Sequence, residues 1–170
     1  MNIITMLILT AIALVGLWLY VQLWRKPTIY LANIAEGTHD RGIISKKTDA
    51  ALALRHLCVK RGTDDDHIAV SGAGDEALGV CQDEADAAER VVAVQLLGCA
   101  ARTVKVVSDG SGVLAVGDNV TTAASGKVAK VAVTVGQKYI VGKVVQGCPA
   151  TDGEIAVIVP LGVWTNTAVS

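Results

Sequence analysis

The 170-residue chain contains no phenylalanine and only three tryptophans and three tyrosines. Trp18, Tyr20 and Trp24 fall in the first 26 residues, which leaves Tyr30, Tyr139 and Trp164 for everything else. A core without large rings has to be built from Val, Ile, Leu and Ala, which bury little area per residue. Such a domain is expected to be marginal alone and to gain stability by burying surface against copies of itself or a partner. Charge of one sign is also missing: 15 basic side chains stand against 16 acidic ones, with no basic stripe, so nothing drives nucleic-acid binding. Cys58, Cys81, Cys99 and Cys148 are far apart and form no CxxC pair, which speaks against a zinc site or disulfide framework. They read as free thiols buried as small hydrophobes, suited to a reducing cytoplasm.

The arrangements that support catalysis are equally absent. Ser111 lies in DGSGV, which lacks the spacing of a nucleophile elbow. His39, His56 and His67 show no HExxH or comparable ligand spacing, and His56 reads as a partly covered strand residue. The glycine-rich SGAGDE at 71–76 has no lysine and reads as a β-turn, not a phosphate loop. Asp64-Asp65-Asp66 is the sharpest cation candidate, but calcium loops alternate their ligands with other residues around a fixed glycine. A solvated acidic loop before the strand HIAVSG explains it better. No catalytic, cofactor-binding or metal-binding residue is assigned, and the chain is not read as an enzyme.

What is present begins with 21 uncharged, mostly apolar residues from Ile3 to Leu23. That length suffices to span a bilayer as a helix. Trp18, Tyr20 and Trp24 near its end fit the headgroup level, and Arg25-Lys26 would keep the C-terminal domain in the cytoplasm. A cleaved signal peptide fits worse, because no small-x-small site comes after the run. Residues 1–26 are therefore expected to be a single apolar helix, either a membrane anchor or an extension from a wrongly assigned start. Pro27 ends any arriving helix, and residues 27–50, of mixed polarity and without sustained period, read as an extended arm.

Residues 51–170 read as an all-β domain, a small β-barrel or sandwich. Short Val/Ile-rich runs alternate with Gly, Asp and Asn turns: LRHLCVK, HIAVSG, ALGVCQ, RVVAVQLLG, TVKVVS, KVAKVAVT, YIVGKVVQ and EIAVIVPLG. One helical turn is expected in DEADAAER. An internal echo aligns residues 77–98 with 139–162, Gly79 with Gly142 and Gly98 with Gly162. Two similar β-units packing into one barrel would account for it.

Several of these runs carry a resemblance. Val59-Lys60, Val70, Gly72, Gly74, Asp75, Leu78-Gly79-Val80, the acidic link Asp83 to Glu89, and Val92 through Gly98 succeed one another in a pattern of strands and turns. Ala115-Val116-Gly117-Asp118-Asn119-Val120 with Gly126-Lys127-Val128 repeats part of it. This pattern, over about residues 28–168, resembles the small capsid decoration (cement) proteins of tailed bacteriophages. The resemblance implies a virion structural protein on the outside of a head that stabilises the shell, often as a homotrimer. The arm would then lie on the major capsid protein or a neighbouring copy, with Tyr30, Leu31, Ile34, Ile43 and Ile44 as anchors. Localisation would be the virion, with host cytoplasm before assembly. The apolar helix departs from the family; with it, the alternative is a membrane-anchored β-domain that binds a protein partner.

Overall fold

The computed structural model describes residues 42–99, 102–132 and 136–167. The chain divides into two units, Met1–Glu36 and Gly37–Ser170, and every described residue belongs to the second. The expected apolar helix at 1–26, and the arm as far as residue 41, lie outside the described residues. Among those described, no helix is long and apolar enough to cross a membrane.

Among the described residues there are ten strands: β1 (Ile43–Thr48), β2 (Cys58–Arg61), β3 (His67–Val70), β4 (Gly79–Cys81), β5 (Val91–Leu96), β6 (Val104–Asp109), β7 (Asn119–Thr122), β8 (Val128–Lys130), β9 (Gly136–Gln146) and β10 (Asp152–Thr167). They close into two five-stranded barrels, ordered β1-β3-β2-β4-β5 and β6-β8-β7-β9-β10. In each barrel the first strand runs parallel to the third and antiparallel to the fifth, while the second pairs with the third and fourth. The fold is all-β, as expected, but the repeated units build two barrels instead of one.

The registers make the repeat residue-specific. Val59 pairs with Gly79 and Val120 with Gly142; Thr48 pairs with Ile68 and Ser108 with Val128. Two isolated bridges, Leu52 with Ala85 and Leu114 with Cys148, also correspond. So do two hydrogen bonds into the fourth strand, His56 N–H to the Cys81 carbonyl and Gly117 N–H to the Val144 carbonyl. His56 and Gly117 both have positive φ, 65° and 93°. On this alignment the first barrel's core of Ile44, Leu52, Val59, Ile68, Cys81, Ala85, Val92 and Val94 maps onto Val104, Leu114, Val120, Val128, Val144, Cys148, Ala156 and Ile158. Five strands enclose a bore too narrow for rings, so Val, Ile, Ala and Cys fill it. This is the physical reason the chain can do without phenylalanine.

Two sequence expectations need correction. Ile43–Thr48 is a strand of the first barrel and not part of an arm: it pairs with β5 from Ile43–Gln95 to Lys47–Val91, and Ile44 points into the core. Its alternation is masked in the sequence because Lys46 falls on the same face as buried Ile44 and Thr48. DEADAAER forms no helix. Ala85 exchanges two backbone hydrogen bonds with Leu52, and the Asp83 carboxylate accepts from the Ala93 N–H, which fixes the link as a loop across the barrel end. NVTT, outside the Val/Ile-rich runs read as strands, is a further strand, β7.

Candidate functional site

The barrels meet along a junction at two Leu-Gly pairs, one just after β5 and one within β10. Gly98 and Gly162, equivalent in the repeat, both have positive φ, where glycine is favoured. A Cβ on Gly98 would lie 3.2 Å from the Leu161 carbonyl oxygen, and one on Gly162 would lie 2.7 Å from Leu97 Cβ. Each barrel thus presses its terminal Leu-Gly against the other's. Among the described residues, four hydrogen bonds cross the junction: Gly74 N–H to the Thr122 carbonyl (3.1 Å), Gly126 N–H to the Ser71 carbonyl (2.8 Å), Thr122 Oγ1 to the Asp75 carbonyl (2.8 Å) and Tyr139 Oη to the Ala77 carbonyl (2.6 Å). Cys58, Ala77 and Val80 of the first barrel belong to the same buried cluster as the second barrel's core. Burial pushes the Cys58 thiol up to about 12, so it packs as a small hydrophobe.

SGAGDE is the turn expected, and its role is to hold this junction. The Asp75 carboxylate accepts from the Gly72 N–H (2.8 Å) and from Lys60 Nζ (2.7 Å), and both bonds hold its pKa below the usual carboxylate range, the lysine foremost. Two clefts flank the junction. One, of about 500 Å³, is lined by Lys60, Glu76, Leu97 and Tyr139 among others; the other, of about 680 Å³, by Leu54, Leu57, Val70 and Lys127 among others. Replacing Asp75 with alanine is expected to lower the urea-unfolding midpoint, because the turn loses a charge-assisted acceptor. A urea-unfolding midpoint that does not move would show the turn to be held by its backbone alone.

The outer wall of the second barrel carries the more exposed apolar surface. Along β10, Ala156 and Ile158 point inward, while Ile155 and Val159 are exposed on the other face, with Val157 half-buried between them. Val157 pairs across to Lys105 on β6 and Val159 to Lys143 on β9, so two exposed lysines border the stripe. Val145 adds to it from β9. Beyond the barrel, β9 and β10 continue as a two-stranded ribbon in which Tyr139 pairs with Trp164, the rings edge to face at 5.4 Å. Tyr139 is buried, whereas Trp164 is 51% exposed. In the first barrel the position equivalent to Val159 is Gln95, which is buried and donates to the Gly42 carbonyl. The repeat therefore differs on this wall. Charge differs too: residues 42–99 carry six Lys/Arg and ten Asp/Glu, and residues 102–167 carry six and four.

Of the other residues singled out from the sequence, Tyr30, Leu31 and Ile34 lie outside the described residues. Ile43 and Ile44 are strand residues, and the burial of Ile44 removes it from any partner surface. The carboxylate of Asp64 is turned onto the Asp66 N–H and the His67 ring, and among the described residues no group of three or more His, Cys, Asp or Glu is placed to hold a metal ion. His56 sits in a left-handed turn before β2, its pKa lowered by burial and by Lys105 and Arg55. Cys81 and Cys148 are buried like Cys58, whereas Cys99 is exposed. The lysine-bordered stripe could have been found from EIAVIVPLG only by knowing which face of the strand closes a barrel.

The chain matches no family model and no curated protein. Among solved structures it is similar to the N base of head fiber gp8.5 of bacteriophage phi29, at 18% sequence identity and a TM-score of 0.51. The match covers 75% of this chain and 98% of that one. At that identity the likeness is one of fold.

Proposed function

We propose that this chain is a non-enzymatic structural protein of a phage virion, attached to the outside of the head and stabilising the shell as a decoration protein. The observation that carries the reading is the tandem pair of five-stranded barrels, a fold shared with the base of a phage head fiber. Two features support it: a rigid repeat stapled at its junction, and an outer wall that leaves Trp164 and a stripe of valine and isoleucine exposed. The partner is the major capsid protein or a neighbouring copy, with a homotrimer as the expected assembly. Tyr30, Leu31 and Ile34 add arm contacts, and each copy needs only modest affinity because many copies hold one shell. The test is mass spectrometry of purified particles together with the membrane fraction from the source. Stoichiometric recovery with the particles supports the reading. Recovery only with membranes, with the Met1 peptide intact, overturns it and favours a membrane-anchored binding module built on the Ile3–Leu23 run.

The docking wall makes a separate prediction. Trp164→Ala and Val159→Glu are expected to leave the barrels folded by circular dichroism, since neither side chain is buried in the core. Head binding is expected to weaken at least about tenfold, as for a truncated interface anchor. Unchanged co-sedimentation of both variants with heads would move the contact off this wall.

A further inference from the structure

The repeat places a cation at the start of the third strand in each barrel, and the two cations differ. The Gly62 N–H donates to the His67 carbonyl and the Ala123 N–H to the Lys127 carbonyl, so His67 and Lys127 are equivalent. Each reaches the loop that leads into its fifth strand. Lys127 Nζ holds both oxygens of Asp152, at 2.6 and 2.8 Å. The His67 ring is gripped on both sides: Nδ1 lies 2.6 Å from Asp64 Oδ1, and Nε2 lies 2.9 Å from Glu89 Oε1. Glu89 itself has a φ of 63°, an unfavourable backbone for any residue but glycine, and its counterpart in the second barrel is Gly153, at 86°. The side chain of His67 is only 12% exposed.

From this geometry we infer that the first barrel is closed by a proton-dependent clamp, in which imidazolium His67 ties the Asp64 turn to the Glu89 loop and neutral His67 releases one of them. A carboxylate only accepts hydrogen bonds, so both contacts are bonds only when both ring nitrogens carry protons. Loss of one proton leaves a ring lone pair facing a carboxylate at under 3 Å, and that side must open. The charged groups around the ring are few. β1 contributes Lys47, which pairs with Glu89 at 3.3 Å, and Lys46, which donates to the Asp65 carbonyl. Arg61 of β2 pairs with Asp65, and Asp66 and Arg90 flank the two clamped loops, Arg90 being engaged with Asp86. Cations are thus already paired, and the two acceptors nearest the ring are both anionic.

The direction of titration agrees. The Asp64 and then the Glu89 hydrogen bonds raise the His67 pKa, and His67 in turn is the leading cause that lowers both carboxylates. A raised histidine contributes stability that is complete below its unfolded value, about 6.5, and is lost as pH rises through the folded value. The lowered carboxylates contribute stability that is lost as pH falls below their ordinary range. The clamp is tightest between those limits and loosens toward alkaline pH. Histidine is the residue whose charge changes between about pH 5 and 8, and residues 102–167 contain none. Only the first barrel carries the switch.

The test is NMR of the full chain, tracking the three histidine rings and the backbone amides across pH 5 to 9, with exchange corrected for its intrinsic pH dependence. His67 is expected to titrate above 6.5 as a doubly protonated ring. Protection of the Glu89 and Lys47 amides, which donate to the Thr48 and Asp66 carbonyls, should fall about tenfold for each unit by which its pKa is raised. Protection of the Ala123 amide should not change. His67→Lys should keep the clamp closed across the range, and His67→Gln should leave it loose throughout. A His67 pKa at or below 6.5, equal loss of protection in both barrels, or a His67→Lys chain that still loosens with pH would overturn the inference.

Discussion

Alanine in place of Gly79 or Gly142 is expected to destabilise the protein by about 3 kcal/mol or more, and by similar amounts at the two sites. Neither glycine has a positive φ, so the requirement is for space and not for backbone freedom. A Cβ at Gly79 would lie 2.5 Å from the Gln95 carbonyl oxygen and 2.6 Å from Val94 Cγ1. At Gly142 it would lie 2.5 Å from the Val159 carbonyl oxygen and 2.7 Å from Ile158 Cδ1. The obstacle in both cases is the fifth strand's backbone with a core side chain beside it, and neither can yield without opening the barrel. In a chain of this length each kcal/mol corresponds to roughly 2–4 °C, so Tm should fall by about 6–12 °C. Gly112, with ordinary φ and nothing within 4 Å of its would-be Cβ, is the control and should tolerate alanine within about 0.5 kcal/mol. If calorimetry finds Gly79→Ala as mild as Gly112→Ala, the fourth and fifth strands do not approach as closely as the barrel requires.

These glycines also show how much of the fold is legible in the sequence. Gly79 and Gly142 align in the sequence echo because they solve the same steric problem, and the strands around them are visible as Val-rich runs between turns. The number of barrels is not visible, since strand closure depends on pairings between β1 and β5 or β6 and β10 that leave no local signature. Strand β1 escapes notice because Lys46 interrupts the face that carries buried Ile44 and Thr48, and β7 because Asn119 and the two threonines outweigh Val120. The docking wall is hidden for a related reason. Ile155, Val157 and Val159 alternate with Ala156 and Ile158 in one apolar run, and only the barrel decides which set faces out. His67 gives no signal at all: its partners, Asp64 and Glu89, lie on separate loops, and only Asp64 is near in sequence.

Tyr139 offers the strongest test of whether the barrels act as one body. Its ring is buried in the junction cluster and packs edge to face with Trp164, and its hydroxyl donates to the Ala77 carbonyl of the other barrel. Tyr139→Phe keeps the ring and both apolar contacts but leaves the Ala77 carbonyl short of a partner, which should cost about 1–3 kcal/mol. Tyr139→Ala removes the ring as well and should cost about 3–5 kcal/mol, with a cavity between the barrels. The two losses differ in kind. Phenylalanine weakens a staple while the barrels still unfold together; alanine removes the packing that couples them. In Tyr139→Ala, amides of the second barrel should therefore lose protection at lower urea than those of the first, because the second barrel's ribbon depends on Tyr139 for its contact with the first. Burial, with Glu76 adding to it, holds the phenol up to about 12, whereas an unfolded tyrosine ionises near about 10. The wild-type chain should accordingly lose stability as pH rises from about 10 toward 12, and Tyr139→Phe should lack that part of the decline. Equal unfolding midpoints for wild type, Tyr139→Phe and Tyr139→Ala would mean that the junction is held by the glycine contacts and backbone bonds without the aromatic staple.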